Sequence, residues 1–156
     1  MTIYLLRHAI AAVRDEERYP DDRDRPLTGK GNSKLAKVLH SLKGLDVKPE
    51  AVFSSPFVRC HQTAQRASHL FGCPLRSVEY LKPGGRFEEI AVPLRDFDQV
   101  MVVGHEPDLG EMAGWLLTGT RGALIELKKA GVACFVGPAP GHMRLQWLTT
   151  PKISDP

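Results

Sequence analysis

Three apolar, β-favouring runs at residues 2–6, 51–53 and 100–103 are short, bounded by turn or polar residues, and separated by stretches with helical spacing. Runs of that length read as strands buried on both faces, as in a parallel sheet covered by helices. The intervening spacing agrees: Leu35, Val38, Leu39 and Leu42 share one helical face, as do Phe57, Ala64, Ala67 and Phe71, and later Leu109, Met112, Ala113 and Leu116. Strand and helix alternate, which predicts an α/β fold, a three-layer α/β/α sandwich around a mostly parallel central sheet. Ser55-Pro56 and Glu106-Pro107 look like helix starts, and Gly44, Gly72 and Gly119 sit where helices should stop. Further on, residues 123–127, 132–136 and 143–148 are apolar or alternating segments between Gly-containing turns. They predict antiparallel strands at a sheet edge near the C-terminus. Residues 1–150 thus read as a single domain and 151–156 as a frayed C-terminal tail.

Composition excludes several classes. A chain of 156 residues can bury about 70% of the surface it exposes when unfolded, so it needs neither disulfides nor metal to stay folded. Its three cysteines, Cys60, Cys73 and Cys134, are odd in number and lack C-x-x-C spacing. A reducing cytoplasm fits them better than a disulfide framework or a zinc knuckle. No apolar run approaches transmembrane length, and the first run turns charged too soon for a signal-peptide core, so neither a membrane span nor export is expected. The net charge of +3 is mild, and the basic residues are scattered among acids, which argues against a nucleic-acid partner. A small anionic ligand stays compatible, because a few well-placed arginines decide that question.

In open α/β sheets ligands bind beyond the carboxyl ends of the strands. Three such ends here carry Arg7-His8, Ser54-Ser55-Pro56 with Arg59 one turn into the next helix, and Gly104-His105. Two arginines and two histidines can therefore converge, a set that suits a phosphoryl group. Arginine stays charged and presents a planar fork matching phosphate oxygens, while helix N-termini near Pro56 and Pro107 add backbone N–H groups. A neutral imidazole beside them can attack phosphorus and form an N–P bond that water cleaves. Positioning and charge stabilisation then supply most of the rate. Guanidinium groups can do the neutralising, so neither a metal nor another cofactor is called for.

Four ordered motifs go further: Leu-Leu-Arg-His-Ala at 5–9, Arg-Pro-Leu-Thr-x-x-Gly at 25–31, Ser-Ser-Pro-x-x-Arg-x-x-x-Thr-Ala at 54–64 and Val-Gly-His-Glu-Pro at 103–107. In order and spacing they resemble the histidine phosphatase superfamily, and more narrowly its short phosphohistidine-phosphatase, SixA-like branch. The resemblance extends to Glu126-Leu-Lys-Lys-Ala-Gly131 and Trp147-Leu-Thr-Thr-Pro151, so it covers nearly the whole chain. It implies that His8 is the phosphorylated nucleophile, that Arg7, Arg59 and His105 bind the transferred group, and that Arg25 forms part of the pocket wall. Ala9 stands where many members have glycine, as is common in this branch. For the general acid the resemblance leaves Glu106, ranked first, then Glu88, Glu89 and Asp24, or no acid at all. A phosphohistidine can manage without one, because its leaving imidazole can carry its own proton, whereas an alkyl phosphate needs its departing oxygen protonated.

Other readings are weaker. Cys60 and Arg66 form a C-x5-R spacing, as in cysteine-dependent phosphatases, but the five residues between contain no glycine and Cys60 lies within a helix, so Cys60 reads as packing. His40, His61, His69 and His142 lack metal-ligand spacing and read as surface or edge residues. Residues 14–25 hold eleven charged or aromatic-polar side chains in twelve positions, a solvated loop that could overhang the site as a specificity element. The expected activity is metal-independent phosphatase action on a phosphorylated protein bearing phosphohistidine. The alternatives are a small phosphorylated substrate on the same scaffold, or a catalytically silent module that binds phosphorylated ligands.

Overall fold

The chain, described over residues 1–154 by a computed structural model, places its alternating pattern in one mixed sheet between two helical layers. The elements are β1 (Thr2–Arg7), α1 (Gly29–Lys43), β2 (Ala51–Ser54), α2 (Val58–Phe71), β3 (Leu75–Ser77), β4 (Gln99–Gly104), α3 (Asp108–Thr118), β5 (Val132–Val136), β6 (Arg144–Thr149) and α4 (Pro151–Ser154). Short 3-10 turns occur at 22–24, 79–81, 87–91 and 93–96. The sheet order is β3-β2-β4-β1-β5-β6. Its first four strands run parallel, while β5 pairs antiparallel with both β1 and β6.

Alternate side chains of the central strands feed two cores, as the period of two requires. Ile3, Leu5, Phe53, Val100 and Val102 pack with Leu109, Met112 and Leu116 of α3 on one face. Tyr4, Leu6, Val52, Met101 and Val103 meet Leu35, Val38, Leu39 and Leu42 of α1 and Cys60, Ala64 and Ala67 of α2 on the other. Leu5 and Phe53 are fully enclosed, and truncating such a side chain to alanine costs about 2–5 kcal/mol.

Several local expectations change. Residues 123–127 form no strand, because β5 takes the place beside β1 and the backbone groups of Leu127 are bonded instead to side chains of Arg7 and Glu106. Helix α2 starts at Val58, later than Pro56, with Phe57 as its N-cap and the Ser55 hydroxyl accepting from the Phe57 amide at 3.3 Å. Pro107 likewise caps α3, which starts at Asp108. The short strand β3 has no counterpart among the expected strands. Within the expected tail, Pro151–Ser154 is a helical turn; the remainder of the tail, 155–156, lies outside the described residues. Among the described residues no helix is long and apolar enough to cross a membrane.

Candidate active site

The parallel register aligns three strand ends in one row. Arg7 at the end of β1 lies opposite Gly104 at the end of β4, and Val103 of β4 lies opposite Ser54 at the end of β2. The residues that follow, His8, His105 and Ser55, leave the sheet side by side. Two threonines fasten this row to the helices. Thr63 of α2 donates from Oγ1 to the Arg59 carbonyl at 2.7 Å and accepts from the Ala9 amide at 3.2 Å, tying the loop after β1 to α2. Thr28 caps α1 by accepting from the Gly31 amide at 2.9 Å, and its own amide donates to the Ile10 carbonyl at 2.9 Å. A Cβ at Gly31 would collide with that same carbonyl, so the glycine ending the 25–31 motif lets α1 approach the loop behind His8.

A cavity of about 330 Å³ opens over this row, and it is lined by Arg7, His8, Asp22, Arg25, Arg59, His105, Glu106 and Lys129 together with Ala11 and Pro83. The sequence candidates Arg7, His8, Arg25, Arg59, His105 and Glu106 are all among them. The two imidazoles are nearly enclosed, 7% exposed for His8 and 3% for His105, with ring centroids 5.4 Å apart. His8 Nδ1 lies 2.8 Å from the Ala9 carbonyl oxygen, which can only accept. Nδ1 therefore carries the proton, and the lone pair is on Nε2. Burial, aided by the Arg59 and Arg7 charges and opposed by the Ala9 bond, pushes the His8 pKa down to about 4. Burial, aided by Arg59, His8 and Arg7 and opposed by the Asp22 charge, pushes His105 down to about 3. Both rings are neutral at pH 7, and His105 Nε2 and the Ser55 hydroxyl are hydrogen-bonded at 2.8 Å.

The guanidinium groups are braced from outside. Arg7 Nη1 donates to the Leu127 carbonyl at 2.8 Å. Arg59 is 5% exposed and donates from Nη1 to the Asp22 carbonyl at 2.9 Å and from Nη2 to Asp22 Oδ2 at 3.1 Å. The other carboxylate oxygen of Asp22 accepts from Arg25 Nε at 2.7 Å, and Arg25 Nη1 reaches the Ala12 carbonyl at 2.7 Å. Partial burial works against the Asp22 charge, but the Arg25 hydrogen bond and the Arg59 guanidinium outweigh it and hold the carboxyl below its usual range. The Nε–H groups of Arg7 and Arg59 are buried without a hydrogen-bond partner among the described residues. Two buried N–H donors left over beside a cavity fit an anion that accepts from both.

The four carboxylates considered as acids separate. Glu106 lines the cavity, half-buried, and Oε1 accepts from the Leu127 amide at 3.3 Å. Burial raises its pKa, against the Leu127 amide and the Arg7 charge. Glu88 is paired with Arg121, and together with Glu89 it lines a different cavity. Asp24 is exposed and does not line the site. Cys60 touches His105, Sγ to Nε2 3.4 Å, but it is fully buried and burial pushes its thiol up to about 12, while Arg66 points away to Asn32. Among the described residues no group of three His, Cys, Asp or Glu side chains is placed to hold a metal ion. His40, His69 and His142 are exposed and His61 partly so.

Sequence reasoning missed Asp22 and Lys129. Asp22 sat inside a uniformly charged run, and only its i,i+3 spacing to Arg25 hinted at a partner. Lys129 lies in the 126–131 segment, to which the resemblance assigns no role.

Comparison with known proteins bears on this geometry. The family model described as histidine phosphatase superfamily (branch 1) matches residues 3–92. The chain is 34% identical to an uncharacterized protein of Picosynechococcus sp. across 97% of this chain and 98% of that one. It is 28% identical to the phosphohistidine phosphatase SixA of Escherichia coli K12 across 97% and 94% of the two chains. A solved structure of the protein histidine phosphatase SixA complexed with tungstate superposes with a TM-score of 0.86 at 24% identity, covering 98% of this chain and 99% of that one.

Proposed function

The chain belongs to the histidine phosphatase superfamily and is a phosphatase, and from that premise we propose that it hydrolyses protein-borne phosphohistidine through a phosphoryl intermediate on its own His8. One observation carries the reading: a neutral His8 with its lone pair on Nε2 stands beside two buried arginines that each keep an unpartnered Nε–H. In this reading Nε2 attacks phosphorus, an N–P bond to His8 forms as the substrate's N–P bond breaks, and the leaving imidazole keeps its proton. Arg7, Arg59 and His105 hold the charge on the equatorial oxygens, and Arg25 supports Arg59 through Asp22. Water then cleaves the phosphoryl-His8 bond, releasing inorganic phosphate and the free imidazole. Neutralisation rests on guanidinium groups, so the reaction is metal-independent. Glu106, with its raised pKa at the cavity wall, is the group suited to protonate an oxygen leaving group or to take a proton from the attacking water. The likeness to SixA along nearly the full length of both chains supports a protein substrate. The odd cysteine count supports a cytoplasmic setting.

The test is a rapid-quench reaction with a phosphohistidine protein, analysed by mass spectrometry, beside a panel of phosphate monoesters. The expected result is acid-labile phosphate on His8, no turnover by His8→Ala, and faster turnover of phosphohistidine than of any monoester. Label on Cys60, or undiminished activity in His8→Ala, would refute the mechanism. Preference for a monoester would transfer the activity to a small-molecule substrate.

A further inference from the structure

A second groove, of about 540 Å³, adjoins the catalytic cavity and shares Arg7 and Lys129 with it. Lys34 of α1, Lys128 and Lys152 of α4 complete its cationic wall, and Glu126 is the one carboxylate among the described residues that line it. Five cations against one carboxylate exceed the net charge of +3 carried by the whole chain. The charge is therefore concentrated here. Ile10 and Pro151 give the groove an apolar floor. The loop of residues 14–25, which lines the cavity through Asp22 and Arg25, has the reverse balance over its length, six carboxylates to four arginines.

A phosphohistidine side chain seated on His8 would lay its flanking segment across one of these two walls. Like charges on the acidic loop repel an acidic segment, and the lysine wall attracts it, so the asymmetry both orients a partner and selects it. We infer that this groove is a docking surface for an acidic segment of the phosphorylated protein, flanking its phosphohistidine. The inference rests on the phosphohistidine reading of the site and adds the character of the protein that presents it.

The test uses two synthetic peptides with one phosphohistidine each, flanked by four glutamates in one and four glutamines in the other, together with free phosphohistidine. Wild type is expected to favour the glutamate peptide in kcat/KM by about tenfold at low salt, a preference that shrinks as ionic strength rises. The triple variant Lys34→Glu, Lys128→Glu, Lys152→Glu changes three exposed positions and should lose that preference while hydrolysing free phosphohistidine at the wild-type rate. Thermal melting establishes that the variant is folded, and the milder Lys34→Gln, Lys128→Gln, Lys152→Gln set should fall between the two. Equal turnover of both peptides by wild type, or a preference that survives charge reversal, would overturn the docking surface and leave the phosphohistidine reading intact. Failure to turn over any phosphohistidine probe, with an aryl phosphate hydrolysed normally, would overturn both.

Discussion

The enclosure of His8 couples the nucleophile to the acid stability of the fold. Its imidazole has a pKa of about 4 in the folded chain, chiefly through burial and the charges of Arg59 and Arg7, against the ordinary 6.5 expected once unfolded. As pH falls through 6.5 the unfolded state binds a proton that the folded state refuses, so stability drops until the folded state is also protonated near pH 4. Above pH 7 the group contributes no pH dependence. The full shift corresponds to about 3 kcal/mol, of which about 2.5 kcal/mol is lost by pH 4.5, a large part of a typical folding free energy of about 5–15 kcal/mol. The substitution His8→Asn isolates this effect, because an amide can still donate to the Ala9 carbonyl but does not titrate. Urea unfolding followed by circular dichroism at pH 7.5 and 4.5 should show wild type losing about 2.5 kcal/mol more than His8→Asn between the two. In wild type the His8 imidazole resonance should not titrate above about pH 5. Equal acid sensitivity in the two proteins, or an imidazole that titrates near 6.5, would refute the depressed pKa and the enclosure of His8 that causes it.

Three further outcomes follow from the site. Activity should be unchanged by EDTA and competitively inhibited by vanadate; loss in EDTA that returns with a divalent metal would contradict a guanidinium-based site. Glu106→Gln should lower turnover of an alkyl phosphate by about 10²-fold while affecting a phosphohistidine substrate much less, and equal losses on both would make Glu106 a structural residue only. Asp22→Ala removes the carboxylate joining Arg25 to Arg59, so kcat/KM and vanadate affinity should both fall about tenfold, the worth of one charge-assisted hydrogen bond. Unaltered vanadate affinity would mean that Arg59 holds its place without Asp22.

The order of strands and helices was legible because it is written in local spacing: Leu35, Val38, Leu39 and Leu42 are all buried on one face of α1, as their helical period requires. The meeting of Arg7, His8, Arg59 and His105 was legible for a related reason. Each ends a strand, follows one directly or lies one helical turn beyond it, and neighbouring parallel strands deliver their carboxyl ends to one edge. The Ser-Ser-Pro and Glu-Pro pairs marked helix starts to within two residues, because turn chemistry acts only over that range.

Other features belong to contacts far apart in sequence. Asp22 is one of six carboxylates in a charged run, and only the crossing of that loop over α2 makes it the partner of Arg59, 37 positions away. Residues 123–127 have the composition of a strand, yet Arg7 and Glu106 claim the backbone of Leu127 while β5 fills the sheet position. The motif around His105 ranks Glu106 first among the acids but leaves Glu88, Glu89 and Asp24 open; the fold sets Glu106 at the cavity and gives Glu88 to Arg121. The depressed pKa values of His8 and His105 depend on how much water the surrounding elements exclude and on which charges they bring near. Residue types and their periodicity thus determined the central strands, the main helices and the reactive groups, since these depend on near neighbours in the chain. Burial, long-range pairing and the charge of each cavity wall were decided only when the elements packed, because those quantities belong to the space between segments.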